Sequence, residues 1–219
     1  MNGSSAPKGK GLTMKVRNIL VVRSGAKQKL GTGRKSWEIF AHLTADGRQK
    51  AREFATRHMG LLKGCAIFTC SPLICAQETL GVMMDTLGFT VEATDKVAIL
   101  PNLWTTHPES YASDCLEQTL QDFVGKDAQF AVGEGIFIYH KGIMEVLRMM
   151  TVAEEIVALS VSNRGPIDFL LAYAHFKLHD TRAFERIYDL GNCEGMVLTF
   201  EGEDLTGVVE LRDPLERGK

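Results

Sequence analysis

Residues 19–22, Ile-Leu-Val-Val, form an uninterrupted apolar run that ends abruptly in Arg-Ser-Gly. A run that is apolar at every position has no polar face, which is typical of a strand buried on both sides of a parallel sheet. Two similar runs, CAIFT from residue 65 and IVALSV from residue 156, also end in polar residues. Helical patterns separate these runs. We therefore predict an α/β fold, a three-layer α/β/α sandwich around a mostly parallel sheet.

The helical patterns have recognisable ends. Thr44 precedes apolar residues at three- and four-residue spacing and is the expected N-cap of the first helix. Pro72 stands where the next helix is expected to begin, and Gly88 is expected to end it. Further helices are predicted near 111–123, at 138–150 and from residue 165. An edge strand is predicted at 91–100. A terminal hairpin is predicted from GMVLTF and GVVELR, joined by EGEDLT.

Composition limits the classes of protein to which the chain can belong. Its 219 residues, 45% apolar, are enough for one compact domain over residues 15–219, after a flexible leader at 1–14. A formal charge of -2 gives no broad attraction to nucleic acid or to an anionic membrane, so neither is an expected partner. The five cysteines are odd in number and include no Cys-x-x-Cys, which favours a reduced, cytoplasmic protein without a cysteine metal site.

Polar residues follow each of the buried strands. In an open α/β sheet, ligands bind beyond the carboxyl ends of the strands, where helix N-termini favour anions. The segments concerned are Arg23-Ser24-Gly25, Thr69-Cys70-Ser71 and Ser162-Asn163-Arg164-Gly165. We expect them to meet in one anion pocket.

Four motifs in the same order give the chain a resemblance to the histidine phosphatase superfamily, which includes the phosphoglycerate mutases. The family carries Arg-His-Gly, then Leu-Thr with a following Gly and Ala, then Ser-Pro-Leu-x-Arg-Ala with Glu-Thr, and late in the chain Val-Ser-His-Gly. This chain reads VVRSGA, LTADGRQKA, CSPLICAQET and SVSNRGPID, so the resemblance spans roughly residues 16–212. Four ordered matches are far harder to obtain by chance than one.

The resemblance also identifies what is missing. Ser24 stands at the position of the nucleophilic histidine, Cys75 at that of the second phosphate-binding arginine, and Asn163 at that of the second histidine. Of the residues that bind phosphate in the family, Arg23 alone is retained, and Glu109 is the nearest candidate for the acidic proton donor. In the family an imidazole attacks phosphorus while positive groups hold its oxygens, so these replacements should abolish that reaction.

The first hypothesis is therefore a pseudophosphatase with no identified catalytic residue. It would bind a phosphorylated small molecule or protein, without metal or cofactor, and the oligomeric state stays open. The expected anion-binding residues are Arg23, Ser24, Asn163 and Arg164. The alternative is an active phosphomonoesterase of non-standard design, in which His107 or His140 reaches the pocket. A third option is a partner surface at GIFIYHKGI, residues 135–143.

Each candidate residue also has an ordinary structural interpretation. The Ser24 hydroxyl is expected to bond backbone groups in a tight turn, and Cys75 to be a small buried thiol rather than a reactive thiolate. Asn163 is either an amide donor or a turn residue. His175 and His179 have metal-ligand spacing, but surface or packed histidines are the favoured interpretation. GTGRKS, residues 31–36, completes no phosphate-loop motif, and Lys27, Lys29, Arg34 and Lys35 are expected to form a basic loop at the pocket mouth.

Overall fold

A computed structural model describes residues 16–29, 40–89, 97–100, 142–150, 157–163 and 190–213, with the isolated positions 167, 170, 171, 174, 175, 177 and 178. Its strands are β1 (Val16–Arg23), β2 (Cys65–Cys70), β3 (Val97–Ile99), β4 (Val157–Ser162), β5 (Gly195–Glu201) and β6 (Asp204–Leu211). Its helices are α1 (Ala45–Arg57), α2 (Met59–Leu62) and α3 (Ile74–Leu87), and residues 142–149 are also helical.

The strands form one sheet in the order β3-β2-β4-β1-β5-β6. The first four strands of this order run parallel. Beyond them, β5 runs antiparallel to β1, and β6 runs antiparallel to β5. Val161 of β4 is in register with Val22 of β1 on one side and Cys70 of β2 on the other. The predicted mostly parallel sheet is confirmed, and the carboxyl ends of β2, β4 and β1 lie side by side.

The sheet has an apolar cluster on each face. Residues 19–22 of β1 are completely buried, and they alternate between the two clusters. Ile19 and Val21 pack in the cluster that contains the helical residues Ile143 and Leu147, whereas Leu20 belongs to the cluster of α1 and α3. The strand is therefore buried on both sides, as its continuous apolar run predicts.

The helix ends follow the sequence with one exception. Thr44 is the N-cap of α1, and its Oγ1 accepts a hydrogen bond from Gly47 N at 2.9 Å; α3 ends at Gly88, which has the left-handed φ of 75°. The prediction that α3 begins at Pro72 is wrong. Leu73 is extended and its carbonyl accepts from Ala76 N at 3.0 Å, so the first helical turn is built on Leu73.

The terminal hairpin is confirmed, but its turn is shorter than predicted. Most of the expected connection EGEDLT is strand, because β5 continues to Glu201 and β6 begins at Asp204. Gly202 has a φ of 63°, which allows the tight two-residue turn. β3 lies at the other edge, as predicted.

The predictions for 1–14, 91–96, 111–123 and 138–141 lie outside the described residues. Within the described ranges, no helix has the length and apolarity needed to span a membrane.

Gly25 and Gly47 bring the end of β1 against the start of α1. A Cβ on Gly47 would lie 2.4 Å from the carbonyl oxygen of Ala26, and one on Gly25 would lie 2.7 Å from that of Gly47. No real Cβ approaches backbone so closely, so only glycine allows this contact between the two elements.

We expect Gly47→Ala to lower the free energy of unfolding by roughly 1–3 kcal/mol, because the added methyl must push the two backbones apart. The matched control is Gly81→Ala in α3, where no atom beyond the adjoining helix backbone lies within 4 Å of the added Cβ. That change should be stabilising, by about 0.5–1 kcal/mol. Urea unfolding of the two variants measures both effects, and equal effects would contradict the close contact.

Candidate functional site

The ends of β1, β2 and β4 are joined by backbone hydrogen bonds. Ser24 N donates to Ser162 O at 2.6 Å, and Ser71 N donates to Val161 O at 2.9 Å. The polar segments that follow these strands therefore meet at one edge of the sheet. This is the edge at which α/β proteins bind their ligands.

Ser24 and Cys75 are in direct contact. The Cys75 thiol donates to Ser24 Oγ at a sulfur-to-oxygen distance of 3.7 Å, and the residues are 1% and 7% exposed respectively. The sequence predicts that the Ser24 hydroxyl bonds backbone groups, whereas its hydrogen-bond partner in the structure is the Cys75 side chain. Cys75 is a buried thiol, as expected, and it is the second residue of α3.

Thr79 fixes the loop after β1 against α3. Its Oγ1 accepts from Gly25 N at 3.0 Å and donates to Cys75 O at 2.6 Å, and the residue is fully buried. One hydroxyl thus sets the distance between Ser24-Gly25 and the helix that carries Cys75. The motif CSPLICAQET includes this threonine, and no role was predicted for it. The signal available was a hydroxyl one helical turn after Cys75.

Glu78, the neighbour of Thr79, holds the segment before α1. Its carboxylate accepts from His42 Nδ1 at 2.8 Å, from Leu43 N at 2.7 Å and from Arg48 at 2.8 Å. Partial burial raises the pKa of the Glu78 carboxyl, but the three hydrogen bonds and the Arg48 charge outweigh this and hold it below its usual value. The carboxylate form is therefore the one that ties this segment to α3.

Three hydrogen bonds join Arg23 to the segment before β5. Arg23 N donates to Glu194 O at 2.8 Å, and Arg23 O accepts from Cys193 N at 3.2 Å. The guanidinium donates to the Leu190 carbonyl oxygen. No motif in the sequence predicted a role for this segment, and the available signal was the cluster NCEG at residues 192–195.

Asn163 extends from the end of β4 and is partly exposed. Its Oδ1 accepts from Ser162 Oγ at 3.3 Å, which leaves the NH₂ as the part of the amide that can donate to an anion. Arg164 lies outside the described residues, as do Glu109, His107, His140, His179, Arg34 and Lys35. The structure therefore places Arg23, Ser24 and Asn163 at neighbouring strand ends, and Cys75 contacts Ser24 from the start of α3.

The start of α3 has no side-chain cap. Leu73 occupies the N-cap position, and its side chain makes no cap hydrogen bond to the helix. Ser71, just before this point, is fully buried, and its Oγ has no hydrogen-bond partner in the part of the chain that the structure describes. Free N–H groups at a helix N-terminus attract anions, so a phosphate oxygen would suit this position.

Burial raises the pKa of the Cys75 thiol above its ordinary value, and the Ser24 hydrogen bond and the charge of Lys27 offset only part of the rise. Burial likewise raises the pKa of Cys65, Cys70 and Cys193 to about 12. The thiol form therefore predominates at neutral pH. A cysteine nucleophile would need the thiolate.

We expect the folded protein to protect Cys75 from iodoacetamide at pH 7.5, since alkylation requires both access and a thiolate. Mass spectrometry after timed alkylation should find Cys75 labelled no faster than Cys70, and rapid labelling of both only in denaturant. Selective fast labelling of Cys75 in the native protein would contradict this result and would favour a reactive thiolate.

The described histidines form no metal site. His175 Nε2 lies 3.2 Å from Glu210 Oε1, so its partner is a strand residue of β6. Within the described ranges, no group of three or more His, Cys, Asp or Glu residues could hold a metal ion. The groups that the described site offers are hydrogen-bond donors and the positive charge of Arg23.

The sequence model of the histidine phosphatase superfamily (branch 1) matches residues 19–213. A search of curated proteins found no match. Among solved structures, a mycobacterial glucosyl-3-phosphoglycerate phosphatase is similar with a TM-score of 0.57 and 17% identity, over 90% of this chain and 99% of that one.

Two other solved phosphatases have the same fold. The Entamoeba histolytica phosphoserine phosphatase in complex with 3-phosphoglyceric acid has a TM-score of 0.58 and 16% identity, over 90% of this chain and 98% of that one. The protein histidine phosphatase SixA complexed with tungstate has a TM-score of 0.55 and 15% identity, over 88% and 96%.

Proposed function

Because the chain belongs to the histidine phosphatase superfamily, we propose that it is a pseudophosphatase, which binds a phosphate-containing ligand but transfers no phosphate through a histidine. The contact between Ser24 and Cys75 is the observation that carries this proposal. In the alignment of motifs these two positions belong to the nucleophilic histidine and a phosphate-binding arginine. A hydroxyl paired with a thiol supplies neither an imidazole nor a positive charge.

Serine is a weak nucleophile unless a base removes its proton. The hydroxyl of Ser24 accepts from a thiol whose pKa is raised by burial, so Cys75 does not serve as that base. Asn163 is an amide and has no basic nitrogen. Losing a nucleophile from a working set of catalytic groups can cost a factor on the order of 10⁶, so the family's reaction is not expected here.

Support for ligand binding comes from the groups that remain. The Arg23 guanidinium, the Asn163 amide and the uncapped start of α3 are donors at neighbouring strand ends. Lys27 adds positive charge close enough to act on the Cys75 thiol. Charge-assisted hydrogen bonds to phosphate are the strong ones, so the retained arginine is the main source of affinity.

The similar structures support a class of ligand. They are a glucosyl-3-phosphoglycerate phosphatase, a phosphoserine phosphatase and a protein histidine phosphatase. We therefore propose a phosphorylated small molecule or protein as the ligand, with neither nucleic acid nor a membrane as partner. The four described cysteines are free, which suits the reduced cytoplasm that we propose as its compartment.

Isothermal titration with inorganic phosphate and with tungstate, beside a p-nitrophenyl phosphate assay, tests the proposal. We expect saturable binding of one anion and no turnover above the uncatalysed rate. No binding of either anion would contradict the ligand-binding part. Turnover that disappears in His107→Gln or His140→Gln would instead establish the alternative, a phosphomonoesterase of non-standard design.

A further inference from the structure

Glu194 lies immediately before β5 and is 5% exposed. Each of its carboxylate oxygens accepts a backbone hydrogen bond: Oε2 from Gly191 N at 2.7 Å and Oε1 from Asp213 N at 2.7 Å. Arg212 balances the charge, with a nitrogen 3.7 Å from Oε2. One buried carboxylate thus ties the turn at 191–194 to the segment that follows β6.

The turn at 191–194 needs such support. Cys193 has a φ of 58°, a region that residues with side chains rarely occupy, and Glu194 N donates to Gly191 O at 3.1 Å to close the turn. A strained conformation persists only when its surroundings hold it. The Glu194 carboxylate supplies that hold through Gly191 N.

The same turn holds Arg23. Cys193 N and Glu194 O bond the Arg23 backbone, and the adjoining Leu190 carbonyl accepts from the guanidinium. A shift of the turn would therefore carry the acceptor of the guanidinium with it. We infer that Glu194 is a positioning residue: by fixing residues 190–194 it sets where the Arg23 guanidinium lies at the edge of the sheet. This inference rests on the proposed function, because it assigns anion binding to Arg23.

Glu194→Gln is the sharpest variant, because it keeps the shape and removes one acceptor. An amide has one oxygen, so either Gly191 N or Asp213 N must face an NH₂ group instead. The matched control is Glu210→Gln. Glu210 also pairs with Arg212, at 2.5 Å, and no described contact joins it to the turn at 191–194.

Two readouts separate this inference from the proposed function. The first is the Nε–Hε signal of Arg23 in ¹⁵N NMR. It is assigned by its loss in Arg23→Gln, and its measurement needs no anion. We expect it to shift or broaden in Glu194→Gln and to stay in place in Glu210→Gln. The second is phosphate affinity, which should fall by about tenfold in the first variant and stay within about twofold in the second.

An unchanged Arg23 signal in folded Glu194→Gln would overturn the inference, and so would a changed signal with undiminished phosphate affinity. If the unmodified protein binds no phosphate, the proposed function fails while the Arg23 signal still decides whether Glu194 positions the guanidinium. If Glu194→Gln does not fold, Glu194→Asp replaces it, since the shorter side chain keeps the charge but cannot reach both Gly191 N and Asp213 N. The Arg23 signal must then move in that variant, and a constant signal overturns the inference.

Discussion

Replacing Arg23 with glutamine is expected to weaken phosphate binding by roughly 10- to 100-fold, because a charge-assisted hydrogen bond contributes about 1.5–3 kcal/mol. Arg23 is the residue of the family's phosphate-binding set that the motif alignment retains. The backbone bonds of residue 23 to Glu194 and Cys193 do not involve its side chain, so the segment before β5 retains these partners. Isothermal titration with inorganic phosphate at about 0.15 M salt measures the change.

The control for this variant is Arg52→Gln. Arg52 lies on the exposed face of α1, so the same net charge is lost without touching the strand ends. We expect its phosphate affinity to stay within about twofold of the unmodified protein, since distant surface charges are screened by salt. Equal losses in both variants would assign the binding to general charge rather than to a site at Arg23.

Restoring the family's residues is expected to create the activity that the proposed pseudophosphatase lacks. Ser24→His, Cys75→Arg and Asn163→His together supply a nucleophile, a second guanidinium and a second imidazole at neighbouring strand ends. Hydrolysis of p-nitrophenyl phosphate should rise from the uncatalysed rate by several orders of magnitude, because these groups act as a unit in catalysis. A steady-state assay after confirmation of folding by circular dichroism measures the gain.

The triple variant has its own internal control. In this control, Ser24→Ala replaces Ser24→His, while Cys75→Arg and Asn163→His are kept. The nucleophile is then absent, so phosphate binding should persist while turnover is lost. A folded triple variant with no gain would mean that these positions do not correspond to the family's catalytic ones. The proposed loss of activity would then need another basis.

Much of the fold was predictable because its signals are local. The apolar run at 19–22 indicates a doubly buried strand, and Thr44 and Gly88 mark helix ends through their own conformational preferences. Parallel strands with helical connections then place their carboxyl ends at one edge. This is why segments far apart in sequence could be assigned to one neighbourhood without coordinates.

The contacts that hold the site could not be predicted, because they join distant positions through side-chain geometry. Arg23 and the acceptor of its guanidinium, Leu190, are 167 positions apart, and Gly25 and Thr79 are 54 apart. No periodicity in the sequence encodes such pairs. The start of α3 at Ile74 was also missed, since Pro72 and Leu73 both fit a helix start in composition.

The central place of β1 in the sheet has a consequence for motion at the site. Arg23 N donates to Glu194 O on one side of the strand, and Ser24 N donates to Ser162 O on the other. Separation of either β4 or β5 from β1 would therefore break the sheet. The amide protons of these two residues should therefore exchange with deuterium only when the whole domain opens. An anion that binds there, as we propose, would meet backbone that is held by hydrogen bonds on both sides.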